Sequence, residues 1–160
     1  MFLPFVAAGC GGGGKQAAGQ VVRGSGYHFE APAGWTVVRS GREVQAAEGG
    51  KSLALVAVSR FPLIHRAKEE LTPKVVKELD EVAGGVADQQ NGRITSEQTL
   101  DVAGRQARRY DVAYSARGKA LVERLTFVLR ERTEYLLLCR FERDGDTGPC
   151  DRLVSSFTLA

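Results

Sequence analysis

The chain is poor in the residues and runs from which metal centres, membrane spans and histidine-based active sites are built. Its 160 residues include two histidines, three cysteines, one tryptophan and one methionine. With so few thiols and imidazoles, and no paired ligand spacing, we expect no zinc site, no other metal and no cofactor. No apolar run approaches the ~20 residues that a membrane helix needs. Any attachment to a membrane must therefore come through lipid.

The chain also lacks a large excess of positive or negative charge. The 22 Lys and Arg residues nearly balance 19 Asp and Glu residues, and the basic ones are scattered along the chain. A protein that binds nucleic acid as its main partner favours a concentrated basic face. The sequence therefore argues against nucleic acid as a partner.

No motif for nucleophilic catalysis can be found. Ser25 lies in RGSG, where a nucleophile elbow would need G-x-S-x-G. His28 falls inside a predicted strand and His65 in a connection that begins with proline, so we interpret both as partly exposed structural residues. The stretch DGDTG at 144–148 resembles a calcium loop, but Pro149 stands where the turn glycine belongs. We predict no catalytic residues.

The stretch AAGCGGGGKQ at 7–16 admits two interpretations. A phosphate-binding loop needs Ser or Thr after its lysine, where Gln16 follows Lys15, and it needs a helix that the glycines nearby do not permit. A lipoprotein processing site needs an apolar run and small residues directly before a cysteine, and Phe2 to Gly9 followed by Cys10 meets this requirement.

The second interpretation resembles a bacterial lipobox and predicts that Cys10 carries the lipid. Residues 1–10 are then a truncated signal peptide and residues 11–26 a Gly-rich tether. A basic segment is missing ahead of the apolar run, so we expect the true start to lie upstream. The alternative is a glycine-rich terminus with an incidental cysteine.

If Cys10 is lipidated, Cys139 and Cys150 remain as an even pair. An even pair suits an oxidising compartment, and we predict a disulfide between them in a protein exported to the outer side of a bacterial membrane. The alternative is two buried thiols.

The rest of the chain, 27–160, reads as one domain. YHFEAP and GWTVVRS indicate short strands, and SLALVAVSRF indicates a strand inside a sheet. Thr72 and Pro73 predict the start of a helix, which buries a stripe at positions 75, 79, 82 and 86 and is weakened near its end by Gly84 and Gly85.

After position 93 the apolar period changes to two. Four segments separated by short turns predict an antiparallel meander, and Cys150, Leu153, Val154 and Phe157 predict a final helix. Strands, helix, meander and terminal helix together predict an α+β fold, an antiparallel sheet flanked by helices as an α/β/α sandwich.

Arginines recur along the predicted meander and could form an anion-recognising patch. The six are Arg108, Arg109, Arg124, Arg130, Arg132 and Arg140. Acidic residues are interleaved with them, and the alternative is that the two sets pair across strands. These acids are Asp111, Glu123, Glu131, Glu134 and Glu142.

Three stretches resemble the PsbP-like fold, and especially its exported bacterial lipoprotein members. They are YxFxxPxGW at 27–35, VAGRQARRYDVxY at 102–114, and YLLLC with CDRLVSSF within 135–157. The resemblance implies a central antiparallel sheet flanked by helices that acts as a binding or accessory module. The lumenal photosystem II subunit and a nuclear Ran-binding protein share this fold. The resemblance carries over no set of catalytic residues.

The sequence thus favours a non-catalytic, membrane-anchored lipoprotein that binds a protein, an envelope polymer or a small apolar ligand. We expect its ligand site between the long helix and the sheet or on the sheet's open face. The alternative is a hydrolase-like envelope enzyme whose acids and arginines form a site that sequence patterns do not reveal.

Overall fold

A computed structural model describes residues 18–160, so the predicted lipidation residue Cys10 lies outside the described residues. The first five strands are Gly19–Gly24 (β1), Tyr27–Pro32 (β2), Thr36–Ser40 (β3), Glu43–Ala47 (β4) and Leu55–Pro62 (β5). Helix Pro73–Gln89 (α1) follows. The remaining elements are Arg93–Val102 (β6), Arg105–Ala116 (β7), Lys119–Arg130 (β8), Thr133–Glu142 (β9), Gly148–Ser156 (α2) and Thr158–Leu159 (β10).

Seven strands form one antiparallel sheet in the order β3-β4-β5-β9-β8-β7-β6. The predicted meander is present as β6 to β9, in which each strand pairs with the next. Strand β5 then pairs along β9 and places the SLALVAVSRF segment in the middle of the sheet. Because successive side chains alternate between faces, both faces of these central strands are apolar and must be covered.

Helix α1 covers one face of this sheet over β7 and β8. Thr72 accepts a hydrogen bond from the amide of Val75 and Pro73 occupies the first turn, as predicted. The buried stripe differs from the prediction, because it consists of Leu79, Ala83 and Ala87. Val82 was expected in that stripe but is 50% exposed. The helix continues through both glycines to Gln89.

The opposite face is covered by a second sheet, in the order β1-β2-β10, together with α2. Tyr27 and Phe29 of β2 and Leu153 of α2 are buried there against the large sheet. The predicted disulfide joins Cys139 to Cys150, with Cα atoms 5.4 Å apart, and links β9 to α2.

The second sheet and α2 differ from two of the expectations. Residues 19–24, assigned to the tether, form β1 and pair with β2 over their whole length, so the folded unit starts before Tyr27. The helix/sheet/helix sandwich is present only in part, because the layer opposite α1 is a small sheet supplemented by one short helix. Among the described residues, neither helix combines the length and the apolar character of a membrane span.

Candidate functional site

The structure does not gather the six arginines of the predicted anion patch on one face. Arg108 lies on the α1 side, where it approaches Asp80, and Arg140 lies on the same side beside Glu123. Arg124 and Arg109 project from the other face, towards α2. The two at the β8–β9 turn are Arg130, which donates to the carbonyl of Ala160, and Arg132, which is exposed.

Ion pairs with basic side chains account for most of the interleaved acids. Asp111 accepts two hydrogen bonds from Arg124, at 2.8 and 2.9 Å. The other three paired acids are Glu123 with Arg140, Glu131 with Arg66, and Glu142 with Lys119. Glu134 is the exception, because within residues 18–160 its carboxylate makes no ion pair and no hydrogen bond. This exception draws attention to the surface around Glu134.

The connection from β5 to α1 forms one wall of that surface. Its backbone is fixed by hydrogen bonds, because the amide of Leu63 donates to the carbonyl of Arg132 at 2.9 Å and that of Ala67 to Glu131 at 2.6 Å. The amide of Leu71 donates to the side chain of Gln106 at 3.0 Å. Residues 63–71 therefore run beside the ends of β8 and β9 and deliver the chain to the start of α1.

Between this connection, α1 and the strand ends lies a groove of about 460 Å³, which we call the α1 groove. Most of its lining is apolar. The apolar lining residues are Pro62, Leu63, Ile64, Ala67, Val75, Leu79, Val82 and Leu129. Ile64 is 85% exposed and Val82 is 50% exposed. Such neighbouring exposed aliphatic side chains are typical of an interaction surface.

Glu134 lies at the base of this groove among apolar neighbours. In the sheet register it stands between Phe61 of β5 and Leu129 of β8, which share its face. Leu136, two residues along β9, follows on the same face. Burial raises the pKa of the Glu134 carboxyl above its ordinary value.

A second buried polar cluster lies under the other end of α1. Glu123 is 3% exposed, accepts a hydrogen bond of 2.5 Å from the side-chain amide of Gln90, and lies 3.6 Å from Arg140. Tyr114 packs beside this pair, and burial raises the pKa of its phenol. Because each charge here has its partner, the cluster anchors the end of α1 to the sheet.

A larger cleft, of about 600 Å³, opens between α2 and the turns around Trp35. Three carboxylates line it, and each is already engaged by its own surroundings: Glu48 accepts from Ser52, Glu142 pairs with Lys119, and Asp146 accepts from the amide of Gly148. In the part of the chain that the structure describes, no cluster of three His, Cys, Asp or Glu side chains could hold a metal. His28 lies in β2 and His65 in the connection, where the sequence placed them.

The α1 groove lies at the opposite end of the sheet from the start of β1. Gly19 pairs with Pro32, and the carbonyl of Ala18 accepts a hydrogen bond from Ala33, next to the turn that carries Trp35. Strand β8 has 12 residues and is therefore about 40 Å long. The chain thus enters the domain roughly one strand length from the groove.

Comparison with known proteins shows a PsbP-like fold. The solution structure of the cyanobacterial PsbP protein CyanoP, from Synechocystis sp. PCC 6803, superposes with a TM-score of 0.64 at 16% identity, over 96% of this chain and 98% of that one. A crystal structure from Bacteroides thetaiotaomicron superposes with a TM-score of 0.62 at 10% identity, over 91% of this chain. This chain spans 49% of the Bacteroides protein. No protein-family model and no curated protein matches the sequence.

These likenesses define the class of fold, in agreement with the fold that the resemblance in the sequence implied. A ligand site between the long helix and the sheet, or on the open face of the sheet, was expected from the sequence, but the residues of the α1 groove were not named. A usable signal was Glu134, the second residue of TEYLLLCRFE, since it directly precedes Leu136 and Leu138 on the same face of the strand. The aliphatic residues of the connection show neither a helical nor a strand-like spacing. Sequence patterns therefore gave no reason to place them beside that glutamate.

Proposed function

We propose that this chain is a non-catalytic binding module, held by lipid on Cys10 at the outer side of a bacterial membrane, and that the α1 groove binds an apolar surface of a partner protein in the cell envelope. The observation that carries the proposal is the groove itself, in which Ile64, 85% exposed, and Val82 stand beside a shaped apolar recess. A PsbP-like fold supports an accessory role.

The position of the groove suits a tethered protein. Ala18 follows Cys10 by eight residues, which span at most about 29 Å when fully extended. A lipid on Cys10 would hold the entrance of β1 close to the membrane and direct the opposite end of the sheet away from it. The α1 groove is at that opposite end, where an envelope protein could reach it.

The chemistry of the lining favours a protein over the other two partners that the sequence left open. A hydrophilic polymer offers hydroxyl groups and charges, for which this apolar lining has few polar partners. A small apolar ligand is bound best in a cavity that buries most of its surface, whereas the side chain of Ile64 projects into solvent. An apolar side of a protein can cover both the recess and the exposed residues around it.

A photo-crosslinking amino acid placed at position 64 of the membrane-anchored chain tests the proposal. We expect a discrete adduct in whole cells that disappears in Val82→Glu. The matched control is Val21→Glu, because Val21 is 55% exposed and lies on β1, away from the groove. Equal adducts in both variants would show that the groove is not the binding surface.

The enzyme alternative is tested with the Cys10→Ala protein, which lacks the proposed lipid. Generic ester, phosphoester and peptide substrates should show no turnover above that of a heat-denatured sample. Turnover that disappears on changing a single His, Ser or acidic residue would overturn the non-catalytic assignment.

A further inference from the structure

We propose that the α1 groove selects a polypeptide segment that presents one cationic side chain, Lys or Arg, within an apolar face, and that Glu134 pairs with this cation. The inference rests on the proposed function, since it names the chemistry of the partner that the groove receives.

The first support is the isolation of the carboxylate. Four of the five acids interleaved with the meander arginines have basic partners, whereas Glu134 has none among the described residues. Its neighbours across the strands are Phe61 and Leu129. A partly buried carboxylate without a partner is unfavourable, and a cation brought by a ligand would remove that cost.

The second support is the charge of the whole groove. The other charged or titratable groups in its lining are His65 and Arg66 on the connection and Glu78 on α1. Arg66 is paired with Glu131 at 3.4 Å, and Glu78 faces Lys74 at 4.0 Å. His65 is exposed. Glu134 is therefore the lining carboxyl group without a partner among the described residues.

The alternatives fit this arrangement less well. A purely apolar ligand would cover Glu134 and leave the carboxylate more deeply buried without a partner. A carboxylate ligand would place a like charge beside it, which disfavours ionisation of both groups. A cation flanked by apolar groups satisfies both the carboxylate and the lining.

Three probes that share the same alkyl tail and differ in their head group distinguish a cationic, a neutral and an anionic ligand. Decylammonium, decanol and decanoate are titrated into the full chain carrying Cys10→Ala, and binding is followed by NMR at the amides of Ile64, Val82 and Glu134. At pH 7 we expect decylammonium to bind at least about tenfold more tightly than decanol, and decanoate most weakly. Decylammonium imitates the ammonium group on an apolar body that Lys presents, whereas decanol and decanoate supply the neutral and the anionic comparison.

Three variants localise the selectivity. In Glu134→Gln the preference for decylammonium should fall to less than about twofold while decanol still binds. In Glu78→Gln, which removes the other lining carboxylate, the preference should remain. Acidification should weaken decylammonium binding in the parent and in His65→Asn but not in Glu134→Gln, because a protonated Glu134 no longer attracts the cation.

The outcomes distinguish the two proposals. If none of the probes perturbs the groove amides, the groove does not receive apolar groups and the proposed function fails together with this inference. If all three bind with similar affinity, or if Glu134→Gln keeps the preference for the cation, the groove binds apolar groups but the assignment of Glu134 is wrong.

Discussion

Tyr110 of β7 donates a hydrogen bond of 2.5 Å from its hydroxyl to Asp80 of α1. The tyrosine is fully buried, and Arg108 lies 3.6 Å from the same carboxylate oxygen. Burial, together with the bond to Asp80, raises the pKa of Tyr110, so the phenol stays protonated and remains a donor at physiological pH. This contact ties α1 to the sheet and so fixes one wall of the α1 groove.

Replacing Tyr110 by Phe removes that hydrogen bond while keeping the buried ring. We expect Tyr110→Phe to lower the free energy of unfolding by about 1–2 kcal/mol, because the acceptor is a charged group. Urea unfolding measures the change. Tyr135→Phe is the matched control, since the hydroxyl of Tyr135 has no hydrogen bond within residues 18–160, and it should cost less than about 0.5 kcal/mol. Equal losses in the two variants would contradict a specific role for the Asp80 contact.

The disulfide between Cys139 and Cys150 is a second covalent link, besides the backbone, between strand β9 of the large sheet and α2. The two cysteines are 11 residues apart, and closing a loop of that size stabilises a fold by about 3 kcal/mol in the chain-entropy model. We expect Cys139→Ala/Cys150→Ala to lose on the order of that amount, and reductant to lower the Tm of the parent but not of the variant. Two free thiols in the protein purified from cells would show that the bond does not form there.

The anchor at Cys10 remains a prediction from the sequence. When the chain is expressed with its native upstream region, we expect the parent to partition into detergent and Cys10→Ala into the aqueous phase. Cys139→Ala/Cys150→Ala controls for cysteine loss elsewhere and should partition like the parent. Detergent partitioning of Cys10→Ala equal to that of the parent would rule out lipidation at this residue.

The sequence predicts the centre of the fold better than its edges. Short turns separate strands β6 to β9, and β8 and β9 carry apolar residues on both faces, so the turns and the composition define both the elements and their pairing. Strand β4 was missed because EVQAA has low strand propensity and is held in place by β3 and β5 on either side. Strand β1 was missed because glycines at both ends made it look like part of the tether.

In the candidate site, too, the residues that lie in elements with a sequence pattern could be predicted, and those placed by tertiary contacts could not. Helix α1 and the strand that carries Glu134 follow from period and capping. Which helical residues are buried depends on packing, and the close approach of α1 to β7 selects Ala83 and Ala87 and leaves Val82 exposed. The wall formed by residues 63–71 depends on backbone hydrogen bonds to the β8–β9 turn, which leave no pattern in the sequence.

Glu134 should lower the stability of the free protein at neutral pH. Because burial raises the pKa of its carboxyl in the folded state, the folded protein binds more protons than the unfolded chain between the ordinary and the raised pKa. Stability contributed by this group is therefore lost as the pH rises through that window. Glu134→Gln removes the ionisation, so the variant should be slightly more stable than the parent at pH 7 and equally stable at pH 3.

Urea unfolding of both proteins at several pH values measures this difference. Glu78→Gln is the control, because the carboxylate of Glu78 is 61% exposed, and its effect should stay within about 0.5 kcal/mol at every pH. A stability gain for Glu134→Gln that is as large at pH 3 as at pH 7 would contradict the titration of a buried carboxyl. A gain confined to neutral pH, combined with weaker binding of decylammonium, would identify Glu134 as a group that lowers stability in order to recognise a cationic partner.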